Sequence, residues 1–259
     1  MKRRAERALG PAARRPRYEL PVVRIDLVDD EEEVEVVTRV CSTPTPSMLR
    51  YVGKFAAGDA SGALIVRVVR LSEETQPVVA MKWSTRVTDI EHEARLHAEI
   101  QKRCGGPRGY VLPLLEWCSV GPGIPMFVNR QDVRTALGRK TFWTKPSAYL
   151  LLPLVTGTAA SAPSITPRDA KNIDAALRAA TDCMSAMNIA HGDVRLANVF
   201  YMEGENGNRR WWLGDFGEAR RMPTVEAARK TNEGSVSQCM HWVRKRLEAG
   251  RPTRGKKKL

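Results

Sequence analysis

The stretch HGDVRLANVFYMEGENGNRRWWLGDFGEAR, residues 191–220, predicts a β-hairpin with polar side chains at its open end. VFYM (199–202) and WWLG (211–214) are aromatic and β-branched runs, and the residues between them are rich in turn formers, including an Asn-Gly pair. If the two runs pair in antiparallel fashion, Asn198 lies beside Asp215, since directly opposed residues are roughly 5 Å apart. An amide oxygen and a carboxylate then face one small volume, and such hard oxygen ligands suit Mg²⁺.

The length and hydropathy of the chain limit the class of protein. The 259 residues suffice for one large domain or two small lobes with cores of their own. No apolar run approaches the roughly 20 residues that span a bilayer, and the longest, YLLLPLV (149–155), is interrupted by Pro153. The N-terminus has no apolar segment typical of a secretory signal. We therefore expect an intracellular protein without a membrane partner.

The cysteines predict a reducing compartment. Their number is odd, and they are scattered without a CxxC motif or a Cys/His cluster, which argues against both a disulfide framework and a zinc site. The five positions are 41, 104, 118, 183 and 239.

The net charge of +13 lies entirely in the two ends of the chain. Residues 1–17 hold seven Arg or Lys and one Glu, residues 244–259 hold eight and one, and the segment between them is balanced. Such tails are typical of localisation signals or of weak polyanion contact rather than of sequence-specific binding. KRR (2–4) and RRPR (14–17) are spaced like a two-part nuclear import signal, which favours a nuclear or cytoplasmic location. A disordered solvated arm is one alternative, and a mitochondrial presequence, which RRPR disfavours, is another.

Periodicity along the chain predicts strands first and helices later. The pattern is β from 51 to 83, and residues 88–103 then read as a helix opened by a capping box, TDIE (88–91). The remaining predicted elements are strands at 110–117 and 148–155, a long helix that opens near TPRD (166–169), the hairpin, and one or two helices after residue 223.

This order predicts a β-rich N-terminal lobe and a helical C-terminal lobe with a cleft between them. The expected segments are a disordered basic arm (1–20), an N-terminal extension (21–48), the N-lobe and hinge (49–155), a reduced C-lobe (156–243) and a basic tail (244–259).

Three short motifs resemble those of the protein-kinase-like superfamily. The family's motifs are H-R-D-x-x-x-x-N, D-F-G and V-A-I-K. This chain has similar stretches: HGDVRLAN (191–198), DFG (215–217) and VAMK (79–82). The resemblance covers roughly residues 50–220. It implies an α+β, bilobal fold with a small β-rich N-lobe that carries one helix and a reduced helical C-lobe.

The resemblance assigns the catalytic loop. Asp193 is similar to the catalytic base that orients the acceptor hydroxyl, and Asn198 and Asp215 are similar to the Mg²⁺ ligands. Arg195 stands where many serine/threonine kinases carry Lys, so that it is expected to face the γ-phosphate; a surface arginine is the alternative. His191 is expected to have a structural role, bonding backbone near the metal loop.

The resemblance also assigns the nucleotide side of the site. Lys82 is expected to bind the α- and β-phosphates of ATP and to pair with a helix glutamate, Glu93, with Glu99 as the alternative. The glycine loop at 57–64 places Gly58, Ser61 and Gly62 against ATP, although only Gly62 falls on a glycine of the motif. Leu152 to Leu154 are expected to form the interlobe hinge at the adenine.

Together these features predict an ATP- and Mg²⁺-dependent protein serine/threonine kinase. Gly192 replaces the motif arginine that contacts a phosphorylated activation loop, and only 42 residues follow DFG, without A-P-E. HGD also occurs in aminoglycoside and choline phosphotransferases. A non-catalytic kinase-like scaffold and a small-molecule kinase are therefore the alternatives.

Overall fold

A seven-stranded sheet and three α-helices dominate the described part of the chain. A computed structural model describes residues 40–42, 49–56, 64–70, 78–105, 109–120, 127–128, 147–204 and 206–249. The prediction of an α+β protein is confirmed. The basic arm, most of the N-terminal extension, the glycine loop and residues 250–259 lie outside the described residues.

The large sheet is antiparallel apart from one parallel pair, β2 with β6, and its strand order is β1-β5-β7-β4-β3-β2-β6. Its strands are β1 (Val40–Cys41), β2 (Leu49–Ala56), β3 (Leu64–Arg70), β4 (Val78–Ser84), β5 (Glu116–Val120), β6 (Phe127–Val128) and β7 (Ser147–Pro153). β3 alternates as a half-buried strand should, since Val66 and Val68 are buried while Arg67 between them is exposed.

The first helix, α1 (Val87–Cys104), connects the sheet to the rest of the core. Ile90 and Ala94 pack against the sheet, whereas Leu96 and Ile100 pack among the later helices. The predicted capping box at 88–91 is wrong: the helix begins at Val87, and within residues 78–105 its N-cap, Arg86, makes no side-chain capping hydrogen bond. The Arg86 backbone N–H donates to Oγ of Ser84, and the helix begins one residue before the start at residue 88 that the sequence predicted.

The predicted strand at 110–117 is also wrong over most of its length, because only β5, from Glu116 onward, is extended in a sheet. The preceding residues form one isolated bridge, between Val111 and Leu213. The Leu112 N–H donates to the Leu213 carbonyl, and the Leu114 N–H donates to the side chain of Gln101. Pro113 lies between them and has no N–H to contribute to a ladder.

The C-terminal part contains two long helices and two small sheets. They are α2 (Pro167–Ser185), α3 (Val225–Ala249), the sheet of β8 (Gly157–Thr158), β10 (Val199–Glu203) and β11 (Arg209–Leu213), and the pair of β9 (Ile189–Ala190) and β12 (Arg220–Arg221). α2 opens as predicted near residue 166, with a capping box formed by Thr166 and Asp169. In the described residues, no helix is both long enough and apolar enough to cross a membrane.

The hairpin predicted at 199–214 is confirmed. β10 and β11 pair antiparallel with Val199 opposite Leu213. The pairing continues at the open end, where the Gly214 N–H donates to the Asn198 carbonyl at 3.0 Å. The end of the hairpin therefore brings Asn198, the last residue of the loop at 191–198, beside the segment that carries Asp215.

The last helix extends beyond the boundary that the sequence suggested. α3 is continuous from Val225 to Ala249, so that residues 244–249, which we expected in the basic tail, are helical. Arg246 holds this end of the helix in place, because its guanidinium donates to the carbonyls of Ala159 and Ala162, each at 2.6 Å.

The expectation that the cysteines form no disulfide is wrong. Cys104, the last residue of α1, is bonded to Cys183 in α2, with the two Cα atoms 5.8 Å apart. Cys118 is also disulfide-bonded. Cys239 is a free thiol, and burial raises its pKa to about 12. The Cys104–Cys183 bond attaches α1 covalently to α2, the helix that precedes the loop at 191–198.

Candidate active site

A largely buried ammonium group, that of Lys82, lies at the centre of the candidate site. Lys82 is in β4, the middle strand of the large sheet, and its side chain is 13% exposed. Its Nζ lies 2.8 Å from Oε2 of Glu93 and 2.7 Å from Oδ1 of Asp215. Burial by itself lowers the pKa of Lys82, but the two carboxylates outweigh this effect and raise the pKa above its ordinary value. The group therefore stays charged.

α1 supplies the buried partner of Lys82. Glu93 is only 3% exposed, because it lies on the face of the helix that turns toward β4. Lys82 and Glu93 can form an ion pair despite their short separation in the sequence, because the chain passes from β4 into α1 within two residues. Glu99, the alternative, instead accepts a hydrogen bond from Arg221 at 2.6 Å. The structure thus pairs Lys82 with Glu93.

Asp215 is held in an unusual backbone conformation at the end of the hairpin. Its φ is 62°, in the left-handed region that residues other than glycine seldom adopt. The residue before it must be small, since a Cβ added to Gly214 would lie 2.9 Å from the ring of Phe200. Strained non-glycine residues cluster at functional sites. The Asp215 side chain is 31% exposed, so that it contacts Lys82 and remains accessible.

The loop before β10, residues 191–198, presents a second carboxylate. Oδ2 of Asp193 accepts from Nδ2 of Asn198 and from Nε of Arg195, each at 2.9 Å. The amide of Asn198 also donates to the Asp193 carbonyl at 2.9 Å, which closes the loop on itself. Gly192 allows this conformation: its φ is 80°, and an added Cβ would lie 2.3 Å from the Glu218 carbonyl oxygen.

A column of three rings supports both carboxylate-bearing segments from behind. The ring of Phe216 lies 4.6 Å from that of His97 in α1 and 5.1 Å from that of His191 in the loop. Burial lowers the pKa of both His97 and His191 to about 4, so the two imidazoles are neutral at neutral pH. His191 contacts the Gly214 carbonyl at 3.2 Å, in agreement with the structural role expected for it.

Asn232 in α3 fixes the loop from the other side, and the sequence analysis did not identify it. Its side-chain oxygen accepts from the His191 N–H at 2.9 Å, and its amide donates to Oγ of Ser185 at 2.9 Å and to the Ile189 carbonyl at 3.0 Å. A signal was available: Asn232 occupies a core position in the i, i+4 stripe of α3, between Ala228 and Val236. A polar residue there needs buried partners.

Part of the predicted nucleotide contact set cannot be placed. Gly58, Ser61 and Gly62 lie outside the described residues. Leu152 is near the end of β7, opposite Ala80 of β4, and is half-buried, as is Leu154. Leu152 contacts both the apolar cluster under α1 and the cluster around Trp212, so it marks the junction between the large sheet and the C-terminal part.

A cavity of about 530 Å³ lies beside α1, and neither Lys82 nor Glu93 lines it. Its two arginines, Arg95 and Arg221, are ion-paired with Glu91 and Glu99, which line the same cavity. The charges of these four side chains therefore balance, and the cavity is separate from the group around Lys82.

Neither a family model nor a curated protein matches this chain. The interpretation of the site thus depends on the residues themselves: one ammonium, two accessible carboxylates and one amide, contributed by β4, the loop before β10 and the end of β11.

Proposed function

We propose that the chain is an ATP-dependent phosphotransferase of the protein-kinase type, which transfers the γ-phosphoryl group to a serine or threonine hydroxyl of a protein. The observation that carries the proposal is the position of Lys82, whose ammonium contacts Glu93 and Asp215 simultaneously. Phosphoryl transfer requires charged groups in fixed positions around the transferred group and little covalent chemistry from the protein. A buried lysine facing a carboxylate that remains accessible is such an arrangement.

The donor atoms fit a magnesium nucleotide. Mg²⁺ takes few protein ligands and keeps oxygen atoms from water and phosphate, so that the carboxylate of Asp215 and the side-chain oxygen of Asn198 are a sufficient protein set. Nδ2 of Asn198 is occupied by its two hydrogen bonds to Asp193, which leaves the oxygen as the ligating atom. When bound, the magnesium nucleotide would supply the phosphoryl group. Lys82 would bind its phosphate oxygens.

Asp193 would accept the proton of an acceptor hydroxyl. Its side chain is 32% exposed and its Oδ2 is held by Asn198 and Arg195, so that the carboxylate has a fixed orientation. Arg195 is half-exposed and would turn from Asp193 toward the transferred phosphoryl group, whose oxygens a guanidinium can bind in bidentate fashion.

The proposal includes a bilobal arrangement with the nucleotide between the lobes. The large sheet with α1 would form the N-lobe, α2, α3 and the hairpin would form a reduced C-lobe, and Leu152 to Leu154 would form the hinge. The supporting observation is that Lys82 and Glu93 belong to the first group while Asp193, Asn198 and Asp215 belong to the second.

One observation favours a small-molecule acceptor as a second candidate. Only seven residues, 218–224, separate Gly217 from α3, and β12 within them is paired with β9. Such a short connection provides little surface on which an extended peptide would dock. Under this alternative the roles of Lys82, Asp193, Asn198 and Asp215 are unchanged, and only the acceptor differs.

The test is transfer of ³²P from γ-labelled ATP with Mg²⁺, with generic protein substrates in one arm and hydroxyl-bearing small molecules in the other. Asp193→Asn should lower transfer by about 10²- to 10⁴-fold, the usual contribution of a general base. Asp174→Asn, which alters an exposed carboxylate paired with Arg178 in α2, is the matched control and should transfer like the wild type.

The outcomes separate the three candidate functions. Label on protein that depends on Asp193 supports the protein kinase, and label confined to small molecules supports the second candidate. ATP binding without transfer in either arm favours a non-catalytic scaffold. A chain that neither binds nor transfers would overturn the proposal.

A further inference from the structure

The disulfide between Cys104 and Cys183 lies where reagents in solution can reach it. Both cysteines are partly exposed, whereas Cys118, which is also disulfide-bonded, is completely buried. Exposed disulfides are the ones that thiols reduce readily, so that a mild reductant should open the Cys104–Cys183 bond first. This accessibility favours a regulatory role for the bond in addition to its structural one.

The bond joins two helices that position parts of the candidate active site. Cys104 is the last residue of α1, and Glu93, which pairs with Lys82, lies earlier in the same continuous helix. Cys183 is in α2, which is followed by β9 and then by the loop that carries Asp193. A helix rises about 1.5 Å per residue, so that Glu93 and Cys104 are about 16 Å apart along one rigid element. A shift of the helix at Cys104 therefore also displaces Glu93.

The noncovalent contacts of this end of α1 differ in strength. Ile100 is buried in the same core cluster as the apolar residues of α2, and the ring of His97 packs against that of Phe216. Toward β12, α1 is held by the ion pair of Glu99 with Arg221, in which both side chains are exposed. Exposed ion pairs contribute little to stability. Without the disulfide, α1 thus keeps the apolar contacts that the fold requires but is attached less firmly.

The space beside α1 allows the helix to move. The cavity of about 530 Å³ lies between α1 and Arg221 of β12, and its other lining residues are all on α1. An element that is closely packed on all sides cannot shift without displacing its neighbours. In the part of the chain that the structure describes, α1 faces this cavity instead of a packed neighbour on that side. The helix can therefore rotate or slide by a small distance once its covalent attachment is open.

We propose that the Cys104–Cys183 bond is a redox switch that controls phosphoryl transfer, an inference that rests on the proposed function. With the bond closed, α1 is held in the position in which Glu93 contacts Lys82. With the bond open, α1 moves toward the cavity and the contact between Glu93 and Lys82 is less populated. The ammonium group then has no fixed position from which to bind the phosphates of ATP. The oxidised chain is the more active form.

The bond opens by exchange with a dithiol, which is either a small molecule or a reducing protein. A thiolate of the dithiol attacks one sulfur of the bond, and the other cysteine leaves as a thiolate and takes up a proton. The second thiol of the reagent then attacks the mixed disulfide and releases the first cysteine. Two electrons and two protons thus pass to the chain, and the dithiol becomes a disulfide. A disulfide oxidant closes the Cys104–Cys183 bond by the reverse steps.

The first experiment measures α1 directly and requires no nucleotide. Hydrogen exchange of the full-length chain is followed by mass spectrometry, once without reductant and once after equilibration with dithiothreitol. The amides of residues 87–104 should exchange about fivefold faster or more in the reduced chain, which is the lower end of the usual coupling between two sites. The amides of β10 and β11 are the internal control and should accelerate by a smaller factor. Alkylation and peptide mapping of the same samples determine whether the bond is open.

The second experiment measures transfer of ³²P from γ-labelled ATP by the oxidised and the reduced chain. Reduction should lower transfer by about 5- to 150-fold, the usual range of coupling between two sites, and reoxidation should restore it. Cys104→Ser/Cys183→Ser should transfer at the rate of the reduced wild type and should not respond to dithiothreitol. Cys239→Ala, which removes the buried free thiol, is the matched control and should respond like the wild type. A thermal melt verifies that each sample is folded at the assay temperature.

The outcomes separate this inference from the proposed function. Transfer that falls on reduction and recovers on oxidation, together with faster exchange in α1, supports the switch. Equal transfer by the oxidised and reduced chains would overturn the switch and leave the phosphotransferase standing. So would a response to dithiothreitol that persists in Cys104→Ser/Cys183→Ser. A chain that transfers no phosphate in either state overturns the proposed function, and the exchange of α1 then decides whether the bond controls the position of the helix.

Discussion

The ammonium group of Lys82 lies 2.7 Å from Oδ1 of Asp215, although 133 positions separate the two residues in the sequence. Lys82 is in the middle strand of the large sheet, and Asp215 follows the hairpin of the C-terminal part. Their contact therefore joins the two groups of elements between which we place the nucleotide. Glu93, which contacts the same ammonium, fixes the position of α1 relative to both.

Lys82→Met should impair both stability and nucleotide binding. Removing the ammonium leaves Glu93 buried without its counter-charge, which should lower the free energy of unfolding by about 3 kcal/mol. The double variant Lys82→Met/Glu93→Met removes the unpaired charge and should recover most of that stability, while ATP binding remains lost. Urea denaturation and ATP titration measure the two effects. Recovery of ATP binding in the double variant would contradict the role given to Lys82.

Asn232→Leu should destabilise the loop that carries Asp193. The substitution is similar in size but leaves the His191 N–H, the Ile189 carbonyl and the Ser185 hydroxyl without their buried partner. We expect a loss of about 2–4 kcal/mol in the free energy of unfolding. We also expect kcat to fall more than KM rises, because the change misplaces Asp193 without touching a substrate. Asn208→Leu, at an exposed position, is the control; an equal effect there would contradict this account.

Breaking the Cys104–Cys183 bond should lower the melting temperature. The bond spans 79 residues, and closing a loop of that length restricts the unfolded chain by about 4 kcal/mol. For a chain of this size the loss corresponds to a fall of about 10 °C in Tm. Calorimetry of Cys104→Ser/Cys183→Ser against the wild type measures it, and peptide mapping without reductant identifies the bond. If mapping finds both thiols free in the purified protein, the covalent attachment of α1 to α2 is wrong.

Stability should fall as the pH drops from about 6.5 to 4. His97 and His191 have a pKa of about 4 in the folded chain and an ordinary value of 6.5, so that between these values the unfolded state binds more protons than the folded state. Stability therefore rises with pH across this window and is fully present above it. Each histidine accounts for on the order of 3 kcal/mol.

Urea denaturation at a series of pH values measures this dependence, and His97→Leu provides the comparison. That variant should lose roughly half of the slope between pH 4 and 6.5, because one of the two buried imidazoles is gone. A variant with the slope of the wild type would show that His97 is not the group whose protonation opposes folding.

The sequence predicts the local elements of this molecule better than the contacts between them. The hairpin and α2 were predictable because their alternating or helical pattern and their turn and capping residues are contiguous in the chain. The strand expected at 110–117 failed for two reasons. Pro113, which is visible in the sequence, has no N–H for a ladder, and the side chain of Gln101, whose role the sequence does not show, accepts from the Leu114 N–H. Periodicity describes one segment of the chain at a time, whereas the backbone hydrogen bonds of residues 112 and 114 are made to distant segments.

The residues of the candidate site also divide into those that the sequence reveals and those that only the packed structure reveals. Four of the site residues are in short motifs whose residue types and spacing mark them as candidates from the sequence alone: Lys82, Asp193, Asn198 and Asp215. His97, Asn232 and the Cys104–Cys183 pair are recognisable only after α1, α2 and α3 have packed, because their partners are distant in sequence. Scattered cysteines thus carry little information until the helix faces that meet are known.

The most direct measurement of the central claim is calorimetric titration of ATP, with and without Mg²⁺, into the wild type and Asp215→Asn, with Asp174→Asn as the control. We predict that the wild type and the control bind ATP at least tenfold more tightly with Mg²⁺ than without it, and that Asp215→Asn stays folded but loses this gain. At 100 times the dissociation constant, Mg²⁺ and ATP should stabilise the wild type by about 2.7 kcal/mol. A wild type that binds no ATP, or an Asp215→Asn variant that keeps the full magnesium-dependent gain, would contradict the account.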